Sequence, residues 1–256
     1  MQHNDIIFKK RANIKPLIIA VENTEIFKTM KIKVLEKNNE LILLGLVIGT
    51  FGNASAKEGS SMLIKPSGVD LSLISKNDIS VVEINSGKLV SGKKPSSDTP
   101  THLELYRSFP QLGGITHTHS PYATAWAQAG NSIPCLGTTH ADYWRGEIPV
   151  TRPMTEKEIY GDYEKETGKV IVETIKKVCV EPLECPGVLV NSHGSFTWGK
   201  TIEEAVNNAE MLEYIAKLSW LTNQLNPSTP AIPPSLHSRH FTRKHGPQSY
   251  YGQEDS

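Results

Sequence analysis

The chain has 256 residues, 38% of them hydrophobic, which is long enough for one large domain or two small ones with a well-buried core. Its 27 Lys and Arg residues balance its 27 Asp and Glu residues, so no overall field would attract it to nucleic acid or to an anionic membrane. Three cysteines without a Cys-x-x-Cys pair indicate neither a disulfide framework nor a thiolate zinc knuckle, and the apolar run at 17–21 is too short for a signal sequence or a membrane span, so we expect a cytoplasmic protein.

The first hundred residues mix one helix with short strands. Residues 1–24 have no clear period and are interpreted as an N-terminal extension of unknown role, with the remaining domain at 25–256. Apolar residues at helical spacing from Phe27 predict a first helix, which 41–47 either extends or leaves for a new element. Strand-like runs follow at 61–65, 79–84 and 88–90. Asn85-Ser86-Gly87, between the last two, is typical of a hairpin turn.

The rest of the chain is mainly helical by pattern. Helices are predicted at 100–109, 121–129, 163–178, 201–225 and 235–245, and short strands at 115–119 and 188–190. Thr155 with Glu158 and Thr201 with Glu204 have the spacing of capping boxes. Because no shift in composition marks a second domain and no Gly-rich strand-to-helix fingerprint is present, the sequence predicts a single layered α/β or α+β domain that is not a nucleotide-binding fold.

Two histidines on one predicted strand form half of a candidate metal site. In Thr116-His117-Thr118-His119 the alternation of a strand places both imidazoles on the same face. Zn²⁺ favours such nitrogen ligands. The alternative is one core histidine and one surface histidine, because His-x-His alone is a weak signal.

A third histidine strengthens the metal interpretation. His193 follows the predicted strand at 188–190 and precedes a glycine, and together with His117 and His119 it would give the three protein ligands of an open catalytic zinc site. Asp98 lies immediately before a predicted helix. On the residues alone, a helix cap is the favoured role for Asp98, and a fourth metal ligand is the alternative.

Three small polar turns suggest that the ligand carries a phosphate. They are Gly52-Asn53-Ala54-Ser55, Lys65-Pro66-Ser67-Gly68 and Lys94-Pro95-Ser96-Ser97. Small residues allow backbone N–H groups to approach an oxyanion, and a helix that starts after Ser97 would add its positive end. A fourth run, Thr138 to Tyr143, places His140 near Asp142, either as acid–base groups or as part of a solvated loop.

These motifs together resemble the class II aldolase and L-ribulose-5-phosphate 4-epimerase family. The resemblance covers nearly the whole chain, from Phe27 to Gln253, and includes the terminal run Tyr250-Tyr251-Gly252-Gln253. The Thr-Thr-His-Ala-Asp-Tyr run, the terminal run and Asp98, where family aldolases usually carry Glu, are similar to the epimerase branch. The resemblance implies a mostly antiparallel sheet flanked by helices, and zinc-dependent inversion of C4 of L-ribulose 5-phosphate by retro-aldol chemistry.

The resemblance also implies a role for each matching residue. Asp98, His117, His119 and His193 would be the metal ligands, for Zn²⁺ or alternatively Mn²⁺ or Co²⁺. The phosphate would be held by Asn53, Lys65, Ser67, Gly68, Ser96 and Ser97. Asp142 and Tyr251 would transfer protons. Thr138, Glu164, His240 and Arg243 would contribute at the subunit boundaries of a homotetramer.

Two departures from the family pattern and three rival functions remain, one of which is a sugar-phosphate dehydratase of the same superfamily. Residues 1–24 have no counterpart, and the loop between Asn53 and Met62 looks shortened, which could reshape the pocket rim. The nearest rival function is a class II sugar-phosphate aldolase that releases its aldehyde product. A zinc-binding structural protein without activity is the rival from a different class.

Overall fold

The computed structural model describes residues 25–245 and 249–250. The predicted extension at 1–24 and Tyr251 lie outside the described residues. The helices are α1 (Glu25–Leu43), α2 (Thr99–Ser108), α3 (Pro121–Ala129), α4 (Thr138–Ala141), α5 (Glu156–Ile159), α6 (Tyr163–Val178), α7 (Ile202–Leu225) and α8 (Pro234–His245). The strands are β1 (Asn53–Glu58), β2 (Ser61–Ile64), β3 (Ser80–Glu83), β4 (Leu89–Ser91), β5 (Gly114–Thr118), β6 (Gly187–Leu189) and β7 (Ser195–Gly199).

A single seven-stranded sheet organises the described part of the chain. Its strand order is β4-β3-β2-β1-β5-β7-β6, and every neighbouring pair is antiparallel. Strands distant in sequence thus become neighbours at its centre, where Asn53 of β1 faces His117 of β5 and His117 faces Phe196 of β7. The prediction of one layered domain with an antiparallel sheet flanked by helices is confirmed.

The core lies on both faces of the sheet because its strands alternate between two buried sides. In β2, Met62 and Ile64 belong to one hydrophobic cluster and Leu63 to the other. Helices α2, α3 and α6 cover the first face, whereas α1 and the first half of α7 cover the second. No helix in the described residues has the length and apolar character needed to cross a membrane.

Local sequence signals fix several helix ends. The predicted capping box of Thr155 and Glu158 is present at the start of α5. At the start of α7 only half of the predicted box forms, because Thr201 accepts from the Glu204 N–H while the Glu204 carboxylate accepts from the N–H of Lys200. Helix α3 ends at Gly130, whose left-handed φ of 67° would strain any residue with a side chain.

Two strands differ from the sequence prediction. Gly52-Asn53-Ala54-Ser55 is not a polar turn, because Asn53 begins β1, whose buried Ala54 and Ala56 pack on the sheet face covered by α1. The strand β7 was not predicted.

The segment between Asn53 and Met62 is a tight β1–β2 hairpin whose Gly59-Ser60 tip lies at the opposite end of β1 from Asn53, so the prediction that it reshapes the pocket rim is wrong.

The close crossing of α2 and α6 aligns the N-terminal ends of both helices. A side chain at Gly168 of α6 would place its Cβ 2.7 Å from Cβ of Glu104 and 3.1 Å from the carbonyl oxygen of Thr101. The Thr101 hydroxyl donates to the carbonyl of Glu164 at 2.6 Å. The absence of a side chain at Gly168 therefore allows α2 and α6 to approach closely enough for this hydrogen bond.

We expect Gly168→Ala to destabilise the fold although alanine is the better helix former. The gain in helix propensity is about 1 kcal/mol, whereas forcing a methyl group into a packed crossing costs typically about 1–3 kcal/mol, so a net loss of up to about 2 kcal/mol is predicted in urea unfolding. Gly137→Ala is the control, because Gly137 has an extended φ of −158° and open space around it. Equal stabilities for the two variants would contradict the tight crossing.

Candidate metal centre and its pocket

Three histidines converge at the end of the central strands. His117 belongs to β5 and His119 follows its last residue, while His193 lies in the short turn between β6 and β7. Pairing of Thr118 with Ser195 brings that turn alongside His119. The turn is closed by a hydrogen bond from the Val190 N–H to the Gly194 carbonyl at 2.8 Å.

The convergence of these imidazoles fits a metal ion. One ligand atom of each histidine lies within 4.8 Å of the others, and Nε2 of His117 is 3.1 Å from Nε2 of His119. Nitrogens at about 2.0–2.1 Å from a tetrahedral Zn²⁺ are roughly 3.3 Å apart, close to that separation. Among the described residues, this is the group of His, Cys, Asp and Glu side chains whose spacing could hold a metal.

Hydrogen bonding and burial favour the forms of these histidines that carry a free lone pair for a metal. Nδ1 of His117 donates to the Ser195 carbonyl at 2.9 Å, which leaves Nε2 as the lone-pair nitrogen facing His119. Burial lowers the pKa of His193 to about 4, and the neighbouring His117 and His119 contribute to the same shift. Burial also lowers the pKa of His119, with a smaller contribution from His117. The neutral forms of His119 and His193 are therefore favoured at pH 7. Nδ1 of His193 is buried without a hydrogen-bond partner.

Asp98 lies beside the cluster and does not cap its helix. Its side chain makes no capping hydrogen bond to α2, so the favoured capping role is wrong, and instead Oδ2 accepts from Nδ2 of Asn53 at 2.6 Å. Burial alone would raise the pKa of Asp98, but His117, His102 and the Asn53 amide together lower it below its usual value. The Asp98 carboxylate therefore lies beside the histidine cluster in its charged form at neutral pH.

One cavity of about 430 Å³ joins the histidine cluster to all the residues expected to hold a phosphate. Those lining residues are Asn53, Lys65, Ser67, Gly68, Ser96 and Ser97. The Ser96 hydroxyl accepts from Asn53 at 3.2 Å and from the Asp98 N–H at 3.3 Å, which ties the predicted oxyanion turn to the carboxylate. The volume is in the range typical of small-molecule sites.

Lys65 is buried at the back of this cavity. Its ammonium donates to the carbonyls of Thr50 at 2.7 Å and Gly52 at 3.3 Å. Burial lowers the pKa of Lys65, and the negative Asp98 partly offsets that shift. The amine is therefore held as a hydrogen-bond donor against the β1 end of the pocket.

Asp142 lies outside the lining of this cavity in its own chain. Its carboxylate accepts two hydrogen bonds from Arg243, at 3.1 and 2.9 Å, and lies 3.1 Å from Nδ1 of His240. Thr138 is one turn earlier, and its carbonyl accepts from the Asp142 N–H at 2.9 Å. The structure thus brings four predicted site residues together in a second group, on α4 and α8.

The run from Thr138 to Tyr143 is not a solvated loop. Thr138–Ala141 is a helical turn, and His140 is buried, which lowers the pKa of its imidazole to about 4. His140 therefore packs in the interior, while the carboxylate of Asp142 remains partly exposed.

Several lining residues, Thr50 among them, had no predicted place in this pocket. Glu164, expected at a subunit boundary, lines the metal cavity of its own chain together with Tyr163 and Phe51. The ring of Tyr163 lies 6.2 Å from that of His193, and the ring of Phe51 lies 6.1 Å from that of His119. Tyr163 could have been found from its position at the first turn of α6, beside an acidic residue, but its contact with His193 depends on the crossing of α2 and α6.

Comparison with known proteins agrees with this architecture. The family description "Class II Aldolase and Adducin N-terminal domain" matches residues 33–220. An L-fuculose 1-phosphate aldolase structure is 25% identical, with a TM-score of 0.70 over 83% of this chain and 94% of that one. YgbL of Escherichia coli, described as a putative aldolase/epimerase/decarboxylase, is 21% identical, with a TM-score of 0.66 over 84% of this chain and 99% of that one.

A third structure extends the likeness in fold. The L-fuculose 1-phosphate aldolase of Glaciozyma antarctica PI12 is 17% identical, with a TM-score of 0.67 over 84% of this chain and 81% of that one. Since the family match covers well over half of the 256 residues and includes the histidine cluster, the chain belongs to the class II aldolase and adducin family, as an enzyme of the class II aldolase superfamily.

Proposed function

We propose that this protein is an L-ribulose-5-phosphate 4-epimerase that converts its substrate to D-xylulose 5-phosphate with one Zn²⁺ per chain. The observation that carries the proposal is one cavity shared by three converging imidazoles and by the residues suited to hold a phosphate. Asp98, where family aldolases usually carry Glu, favours the epimerase over an aldolase. Mn²⁺ or Co²⁺ would also suit these ligands. Such an activity would serve a cytoplasmic pentose route such as arabinose catabolism.

The chemistry of the substrate requires bond cleavage. C4 is not adjacent to the C2 carbonyl, so its hydrogen is not acidic and direct proton abstraction is disfavoured. A base instead removes the proton of the C4 hydroxyl, and the C3–C4 bond breaks with its electron pair passing to C3 and the carbonyl oxygen. The products are an enediolate and glycolaldehyde phosphate. Rotation of the aldehyde before the bond re-forms gives the opposite configuration at C4.

His117, His119 and His193 would hold the metal, and Asp98 would complete the set. When bound there, the metal supplies Lewis-acid stabilisation of the negative charge that develops on the substrate oxygens. The chain itself contributes orientation, because the hydrogen bond from His117 to Ser195 fixes which nitrogen faces the pocket.

The phosphate-holding residues would decide between epimerisation and cleavage. Ser67, Gly68, Ser96 and Ser97 line the side of the cavity next to the start of α2. A firm hold on the phosphate keeps glycolaldehyde phosphate in place while it rotates. A loose hold would release the aldehyde, as an aldolase does.

Proton transfer would be supplied by a neighbouring copy of the chain. Asp142 does not line its own cavity, and its pairing with Arg243 and His240 holds its carboxylate at the protein surface. We assign Asp142 and Tyr251 to the two faces of the aldehyde in a neighbour's pocket. This arrangement requires a homo-oligomer, a tetramer by resemblance, with sites at subunit interfaces and with Thr138, Glu164, His240 and Arg243 at the boundaries.

A class II sugar-phosphate aldolase is the second candidate. The similarity to an L-fuculose 1-phosphate aldolase structure, 25% identical over 83% of this chain, favours it. Both functions use the same bond cleavage and differ only in the fate of the aldehyde.

The test of the proposal is to supply zinc-loaded protein with L-ribulose 5-phosphate and to follow the products by NMR. Accumulation of D-xylulose 5-phosphate that stops on metal chelation is expected. Release of glycolaldehyde phosphate with dihydroxyacetone would instead identify an aldolase. Absence of turnover by a folded, zinc-bound protein would contradict the epimerase and would leave only an aldolase that acts on another sugar phosphate.

We expect His193→Ala to lose zinc without losing the fold. Removing one of three imidazoles should weaken zinc binding by roughly a hundredfold or more, beyond the effect of removing a residue that only supports a ligand. His237→Ala is the control, because His237 bonds to the backbone of Gly146 and Trp144 outside the cluster. Chelator competition measures the affinity. A similar zinc affinity in the two variants would exclude His193 from the site.

Mixing two inactive variants tests whether the site is shared. His193→Ala and Asp142→Asn are each expected to be nearly inactive. If each site combines His193 of one chain with Asp142 of another, random co-assembly of equal amounts should restore about one quarter of the wild-type activity. If both residues act within one chain, the mixed oligomer should stay inactive, which would contradict the interface assignment.

A further inference from the structure

A buried set of polar contacts lies beneath the metal pocket, and two of its members, Ser55 and His102, have no role in the chemistry proposed above. Asn53 and Ser55 of β1 face the start of α2, where Nδ2 of Asn53 donates to Asp98 at 2.6 Å. The Ser55 hydroxyl shares a hydrogen bond of 2.8 Å with Nδ1 of His102. Ser55 and His102 are both completely buried. Two side-chain hydrogen bonds therefore join the same strand to the same helix.

The spacing of a strand and of a helix makes these two bonds parallel. Residues two apart in a strand point the same way and are separated by about 6.6–6.8 Å. Residues four apart in a helix lie one above the other at about 6.0 Å. The distance between Asn53 and Ser55 along the strand is therefore close to the distance between Asp98 and His102 along the helix. The His102 N–H donates to the Asp98 carbonyl at 3.1 Å. We call these two cross-connections the β1–α2 ladder.

Tyr106 adds two further contacts to the second connection of the ladder, the one between Ser55 and His102. Tyr106, a further turn along α2, places its hydroxyl 3.0 Å from that of Ser55 and donates to the Ser55 carbonyl at 3.2 Å. Nε2 of His102 has no hydrogen-bond partner although it is buried. Burying a polar atom in this way costs free energy, so an apolar residue at 102 would be the better choice for stability alone.

The ladder also borders the metal ligands. Asn53 is the residue of β1 that pairs with His117 of β5. On the other side, His102 meets the edge of the Phe196 ring at 5.9 Å, and Phe196 stacks on His117 at 4.2 Å. His102 thus lies behind both a metal-ligand histidine and Asp98.

We propose that Ser55 and His102 are positioning residues. Their hydrogen bond fixes the register of α2 against β1, and this holds the Asp98 carboxylate beside the histidine cluster. The Asn53 amide restrains only the Asp98 carboxylate oxygen, whereas the Ser55–His102 bond restrains the backbone of α2 one turn further on. The inference depends on metal binding at the cluster and not on which sugar phosphate is the substrate.

The test compares the zinc affinity of purified variants by chelator competition. Ser55→Ala and His102→Phe remove the second connection, whereas His102→Asn keeps a polar atom where Nδ1 of histidine lies. Thr197→Val is the matched control, because its buried hydroxyl on β7 donates to the Ala205 carbonyl of α7 at 2.8 Å and does not contact α2. Thermal unfolding of each metal-free variant reports loss of stability separately.

The proposal expects a loss of zinc affinity that stability does not explain. Ser55→Ala and His102→Phe should each weaken zinc binding by about tenfold or more, and their combination should add little, since both remove the same bond. Thr197→Val should lower the melting temperature by as much as Ser55→Ala while keeping zinc affinity within about twofold of wild type. His102→Asn should recover most of the affinity lost in His102→Phe.

Two results would overturn the proposal. Zinc affinities of Ser55→Ala and His102→Phe equal to that of Thr197→Val would show that the ladder only stabilises the fold, and the proposed function would be unaffected. A wild-type chain that binds no zinc would remove both the inference and the proposed function. Should His102→Phe fail to fold, Ser55→Ala still decides, since it removes a single hydroxyl.

Discussion

The convergence of three imidazoles on one point is the constraint on which the rest of the pocket depends. Imidazoles this close repel each other when protonated, and His193, with its pKa near 4, shows the effect of burial and of its neighbours. The structure holds them together through the antiparallel pairing of β5 and β7, in which the Ser195 carbonyl accepts from His117 and the preceding turn carries His193. A cation bound between the three imidazoles would stabilise such an arrangement.

The neighbouring strand of the sheet links the histidine cluster to the other residues that line the cavity. Because β1 lies on the other side of β5, Asn53 faces His117 and reaches both Asp98 and Ser96. The crossing of α2 and α6 brings Tyr163 and Glu164 to the opposite wall. The histidine cluster, the Asp98 carboxylate and the residues proposed to hold a phosphate therefore lie on one connected set of strands and helix starts.

Much of this frame could be predicted from the sequence, but its assembly could not. The helices and most strands follow from apolar spacing, and the three histidines follow from ligand chemistry and their positions beside predicted strands. The strand β1 was missed because its small polar residues have the composition of a turn and are buried only by neighbours distant in sequence. The capping role expected of Asp98 failed because the competing bond comes from Asn53, 45 residues earlier, and no local pattern reveals it. The separation of Asp142 from the pocket of its own chain likewise depends on where α8 packs.

Zinc-edge X-ray absorption spectroscopy of the metal-loaded protein tests most directly whether this cluster is a metal centre. The structure predicts a shell of nitrogen and oxygen atoms at about 2.0–2.1 Å, with the outer-shell scattering of three imidazoles. None of the three cysteines belongs to the cluster, so no sulfur should be present. A sulfur shell at about 2.3 Å, or the scattering of fewer than three imidazoles, would contradict the account.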